Sequence, residues 1–131
     1  MSEMYQVRKK IEDVPWEKHF MDEGSKIKWV YTREKDGTPI TVMVIELREG
    51  ISLPEHVHRD QPDLIYVLEG EATMFIDGQG EFPLEAGLVV MVPPNTRHTI
   101  KNIKKKVKLY NVFAPAMPYK PADKKVKYIV E

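Results

Sequence analysis

The sequence predicts an all-β domain, an antiparallel β-barrel or double-stranded jelly roll built from residues 26–115. Three observations predict it. Apolar runs are short and broken by glycine, proline and aspartate, the pattern of sandwiches and barrels. Two Asp-Gly pairs, Asp36-Gly37 and Asp77-Gly78, lie between such runs, where glycine accepts the positive φ of a tight hairpin turn. Residues 40–48 are rich in Val and Ile and apolar on both faces, which suits a strand covered on each side.

Taken in order, residues 26–33 alternate Ile27, Trp29 and Tyr31 with Lys26, Lys28 and Val30 and form the first clear strand. Beyond Gly50 a short strand carries two histidines. Residues 64–68 form another strand, ended by Glu69-Gly70, and 72–76 follow as a separate one. After Asp77-Gly78 come a brief return strand at 82–84 and, past Gly87, a strand at 88–92. Pro93-Pro94-Asn95 breaks the chain, and strands at 98–103 and 107–113 complete the series. Met43, Met74 and Met91 fall within these patterns and are read as core.

The ends differ from the middle. Residues 1–25 form an N-terminal segment, strand or short helix. Within it, 12–21 can hold one helical turn, with Asp13 as cap and Pro15 near the first helical position. His19 lies in that turn and is expected to be exposed, with no metal role. Residues 116–131 form a proline-containing extension, with a final strand at 126–130 on an edge or on a partner. Jelly rolls leave exposed edges, so a homodimer is expected, with N- or C-terminal strands adding to the partner's sheet.

Composition narrows the function classes. Twenty Lys and Arg balance twenty Asp and Glu, giving no general attraction to nucleic acid or to acidic membranes. With no cysteine, a disulfide framework and thiolate ligands are both excluded. The first ten residues lack the apolar run of a signal peptide, and no stretch reaches the roughly 18 apolar residues of a membrane span. The expected location is cytoplasmic. No helix-turn-helix segment fits in the chain, so a DNA-binding regulator is set aside.

Three of the four histidines fall in one arrangement. His56 and His58 are separated by one residue, so on a strand both imidazoles point to the same face. Asp63 follows a short turn containing Pro62 and can meet them. Two imidazoles and a carboxylate form a facial set that suits Fe(II), Mn(II) or similar ions. His98 stands just after the proline turn, where a later strand can return it to the same point.

At these residues the sequence resembles the cupin family. The first stretch runs Gly50, five residues, His56-Val-His58, four residues, Asp63, six residues, Gly70. The second runs Gly87, five residues, Pro93-Pro94-Asn95, two residues, His98, three residues, Asn102. Both match the family's two motifs in the correct order. The resemblance implies one divalent metal ion per chain (Fe, Mn, Ni or Zn), bound by His56, His58, Asp63 and His98, with a small-molecule ligand or substrate. Two positions depart from the family pattern. Asp63 replaces the usual glutamate and is one methylene shorter. Asn95 replaces a glycine, and asparagine is the next best residue for positive φ.

Two function classes remain open. One is a mononuclear metal enzyme performing dioxygenation, isomerisation or a lyase reaction on a small polar or anionic metabolite. The other is a non-catalytic module whose metal holds a small ligand. Four protein ligands leave about two positions open on an octahedral ion and none on tetrahedral zinc. No general base is identifiable; Tyr66, Tyr110 and Arg97 are only neighbours of the motifs.

Overall fold

The computed structural model describes residues 5–119 and the backbone of Ile129–Val130. Its strands, in chain order, are β1 (Glu17–Lys18), β2 (Lys26–Tyr31), β3 (Thr41–Leu47), β4 (Val57–His58), β5 (Asp63–Ile76), β6 (Gly80–Glu85), β7 (Val89–Val92), β8 (His98–Phe113) and β9 (Ile129–Val130). Helical structure among the described residues is limited to a 3₁₀ turn at Ile11–Asp13 and one α-turn, α1 (Arg33–Asp36). No helix among them is long and apolar enough to cross a membrane.

The predicted antiparallel architecture is present. Seven strands join in one sheet along the path β1-β2-β3-β8-β5-β6, and β7 also pairs with β5. β5 is the hub. One edge runs antiparallel to β8 over most of its length, while the other is shared, Asp63–Tyr66 by β7 and Glu71–Ile76 by β6. The sheet is not closed by a continuous ladder. It folds over, so that side chains from β2, β3, β5, β6, β7 and β8 meet in one buried core that includes Ile27, Met43, Val67, Met74, Leu84 and Leu109. β3 is apolar on both faces because both are covered. Met43, Ile45 and Leu47 join the main core, while Val42 and Val44 pack with Val30 under Val14 and Trp16 of the N-terminal segment.

Several local expectations change. Asp36-Gly37 is not a two-residue hairpin turn. Thr32 Oγ1 accepts from Lys35 N–H (2.9 Å), and Asp36 Oδ2 accepts from Thr32 N–H (2.8 Å), which folds 33–36 into a capped helical turn. Gly37 ends it at φ 76°. The helical turn expected over 12–21 is replaced by the 3₁₀ turn and by β1, which pairs with β2. The C-terminal Ile129–Val130 pairs in parallel with β4 of its own chain; residues 126–128 lie outside the described ones.

The largest change concerns continuity. Residues 64–68 and 72–76 belong to one strand, as do 98–103 and 107–113. Gly70 is a bulge rather than a turn, and Lys104, Lys105 and Lys106 lie on the exposed outside of the same irregularity. The register between β5 and β8 shifts three times between Val67 and Thr73. Gly70 has φ 109°, and a Cβ there would press on the Lys106 carbonyl oxygen and lie 2.6 Å from Val107 Cα. Only glycine lets the two backbones pass so closely. The bend has a clear effect on shape. β5 has an extended contour on the order of 45 Å, yet Asp63 at its start and His98, paired with Ile76 at its end, both reach the same pocket.

Candidate metal centre

The backbone places the histidines before their side chains do anything. His56 and His98 form an antiparallel bridge, each N–H donating to the other's carbonyl at 3.0 and 3.1 Å. His58 lies two residues on, facing the same side as strand parity requires. Ring centroids are 4.3 Å apart for His56–His98, 5.0 Å for His56–His58 and 5.1 Å for His58–His98. One nitrogen from each falls within 4.8 Å of the others, and all three side chains are buried.

The proline turn braces this arrangement. Asn95 adopts φ 59°, the left-handed conformation expected of it. It also does more than tolerate that φ. Its N–H donates to the His58 carbonyl (2.9 Å), its Oδ1 accepts from Asp60 N–H (3.0 Å) and its Nδ2 donates to Asp60 Oδ1 (3.2 Å). The second motif thereby clamps the loop between His58 and Asp63, which a glycine side chain could not do.

Second contacts fix which ring nitrogen is free. His56 Nδ1 lies 2.9 Å from the Pro54 carbonyl, and His98 Nδ1 lies 2.9 Å from the Thr96 carbonyl. A carbonyl only accepts, so these Nδ1 atoms carry the protons and both Nε2 lone pairs are left for another partner. His98 Nε2 is buried with no hydrogen-bond partner, as is His58 Nδ1. Burial lowers every pKa in the group. For His56 it reaches about 3, through burial first and then the nearby His98. His58 is driven well below its ordinary value by burial and by His56 and His98, and His98 is lowered by burial. A cluster of neutral imidazoles with an orphaned buried lone pair fits a divalent cation, which needs deprotonated ligands.

Asp63 occupies a different position. It is buried, its Oδ1 accepts from Asn111 Nδ2 (3.0 Å), and its Oδ2 lies 3.9 Å from His58 Nε2. It is not one of the group gathered within 4.8 Å, consistent with a side chain one methylene shorter than glutamate. Burial without a cation raises its pKa to about 7, partly offset by the Asn111 bond.

The expectation that His19 is exposed is overturned. Its side chain is 4% exposed and lines the same cavity as His56, His58, Asp63 and His98. Its backbone N–H donates to the Ser25 carbonyl (3.0 Å), and Asp22 ties Ser25 to Arg48, folding the segment back over the cavity. That tie pairs residues far apart in sequence, which the local pattern around His19 does not reveal. The cavity is otherwise walled by apolar side chains and by Asn111, and has a volume of about 40 Å³. Tyr66, Tyr110 and Met91 point to the outside, so the core assignment of Met91 is corrected; it faces away because its neighbours Val90 and Val92 take the inward positions. Arg97 is also exposed, beside Glu55 and Asp77.

Comparison with known proteins agrees with this geometry. The family model described as a cupin domain matches residues 43–113. The chain is 33% identical over 73 residues to the polyketide synthase CurC of Streptomyces cyaneus, covering 50% of this chain and 47% of that protein. It is 33% identical over 69 residues to quercetin 2,3-dioxygenase of Bacillus subtilis (strain 168), covering 53% of this chain and 20% of that protein. The chain therefore spans half or less of these curated relatives. A solved structure described as a predicted oxalate decarboxylase from Thermotoga maritima superposes with a TM-score of 0.69 at 18% identity, over 81% of this chain and 96% of that one, a likeness of fold. With the family model covering more than half of its residues and both motif histidine sets converging in space, the chain belongs to the cupin family.

Proposed function

We propose that the chain is a mononuclear metal-dependent enzyme in which His56, His58, Asp63 and His98 hold one divalent ion (Fe, Mn, Ni or Zn) and act on a small polar or anionic metabolite. The observation that supports this best is the set of neutral, oriented imidazoles around an unpartnered buried Nε2. Bound there, a divalent ion supplies Lewis acidity. The protein's part is to orient and to exclude water. Pro54 and Thr96 hold two rings in a ligating tautomer, and Asn111 holds the carboxylate. Asp63 contributes one negative charge against two positive, so an anionic ligand is favoured.

Cavity size supports a small substrate. The cavity has a volume of about 40 Å³, small for a ligand site. A flavonoid, the substrate class in the name of one relative, does not fit without displacing a wall. Reconstitution with Co²⁺ tests the open site, because its visible spectrum separates four-coordinate from higher geometry. A shift with oxalate, 2-oxo acids or sugars is expected, followed by turnover of that class with Fe²⁺ or Mn²⁺. A tetrahedral spectrum indifferent to all of them would count against the enzyme, and a shift without turnover would favour the binding module.

The same reading includes a homodimer. Tyr66 stands opposite Val89 on one side and Tyr110 on the other, with Leu68 and Met91 nearby, and all five are exposed. Contiguous apolar groups on an outer sheet face are suited to burial against a second copy. Light scattering after size exclusion should give twice the chain mass, falling to the monomer for Tyr66→Lys. A wild-type monomer at high concentration would remove the dimer.

A further inference from the structure

His19 is the histidine that neither motif contains, and the structure fixes its ring closely. The imidazole stacks on Phe20 with centroids 4.8 Å apart and planes 19° apart. Met21 N–H donates to Nδ1 at 3.0 Å. A backbone N–H can only donate, so Nδ1 carries no proton, and the ring's proton is on Nε2. The Met21 bond is the ring's one hydrogen bond among the described residues. His19 thus brings a ring of fixed tautomer to the cavity wall, in surroundings otherwise supplied by the metal-site residues, by Asn111, whose amide nitrogen is engaged with Asp63, and by apolar side chains. It is not one of the nitrogens gathered as a metal group.

These facts divide the work of recognition. With a divalent ion bound, the centre would carry net positive charge and take an anionic oxygen. The Asn111 amide nitrogen already donates to Asp63, and the apolar wall can satisfy no further oxygen. His19 can, and as a neutral donor it does so without adding a second charge. We propose that His19 is the ligand-binding donor of this cavity, its Nε2–H hydrogen-bonded to an oxygen of a small carboxylate held at the metal; the proposal rests on the metal reading above. The ligand class is a small carboxylate, because the cavity has a volume of only about 40 Å³.

The test uses the full chain loaded with Co²⁺, with metal content measured first, so that failure to hold metal is seen separately as failure of the metal reading. Oxalate is then titrated into wild type, His19→Phe and His19→Gln by calorimetry. All three should carry the same metal and keep similar melting temperatures. Oxalate affinity should fall about ten- to a hundredfold in His19→Phe and recover in large part in His19→Gln, whose amide hydrogen reaches the place of Nε2–H. Equal affinity in wild type and His19→Phe overturns the proposal. So does metal loss in His19→Phe, or the absence of oxalate binding to metal-loaded wild type. A readout free of substitutions is the ¹⁵N spectrum of the metal-free chain: the Nε2–H tautomer of His19 is expected, and an Nδ1–H tautomer would overturn the assignment.

Discussion

Loaded with a divalent ion, the protein is expected to hold about one ion per chain, and His58→Ala and His98→Ala should each cut metal affinity by more than about a hundredfold. Loss of a supporting contact around a metal typically costs about 10–100-fold, and these variants remove a ligand itself. Both imidazoles come from a preformed cluster, so neither loss can be repaired by a neighbour without moving β4 or the start of β8. His19→Ala should leave affinity within about twofold, since its ring is outside the ligand group. Asp63→Asn should fall between these, as its Oδ2 approaches only the His58 side of the group. Elemental analysis and calorimetry of the four variants decide the matter. Unchanged occupancy throughout would sink the assignment of the site.

Acid should unfold the metal-free chain with unusual steepness. His19, His56, His58 and His98 are all held neutral by burial, His19 down to about 4 and His56 to about 3, whereas an unfolded imidazole titrates near 6.5. Depressed pKa values on bases mean that the unfolded chain binds more protons below that point. The stability contributed by the neutral rings is therefore fully present above about pH 6.5 and lost as pH falls towards the folded values. Asp63 opposes this. Its folded pKa of about 7 exceeds the ordinary 3.8, so the cost of burying its charge is relieved as pH drops through 7. His19 and His56 each gain a proton on unfolding near pH 5 and Asp63 loses one, a net gain of about one proton to which His58 and His98 add, so stability falls by at least about 1.4 kcal/mol per pH unit. Against a typical domain's 5–15 kcal/mol this is a large loss over about two units. Urea midpoints with chelator present, measured from about pH 7 to about pH 5, should show the slope, and it should be shallower in His19→Phe. A flat profile would mean that the native imidazoles are charged or solvated.

Much of the centre is legible in the sequence because strand parity is a local rule. His56 and His58 must share a face, and motif order brings His98 back to them. His19 is illegible for the opposite reason. Its burial depends on the Asp22, Ser25 and Arg48 tie across residues distant in sequence, and nothing in its neighbours announces an inward ring. Met91 fails on ambiguity: a strand apolar at every position does not say which alternate set faces in. The two long strands read as four in the sequence because a glycine and three lysines interrupt the apolar pattern, and only the backbone shows that the ladder bends through them.

That bend couples two kinds of control. Asp63 and His98 sit at the ends of a curved two-stranded ribbon, while Gly70 and its lysine-bearing counterpart lie near its middle. The same curvature encloses the space and brings the two ribbon ends to one wall of it. A residue inserted or removed at the mid-ribbon bulge, where a strand pair can absorb it, therefore changes chamber size and the approach of Asp63 to the histidines together, from a position distant from both.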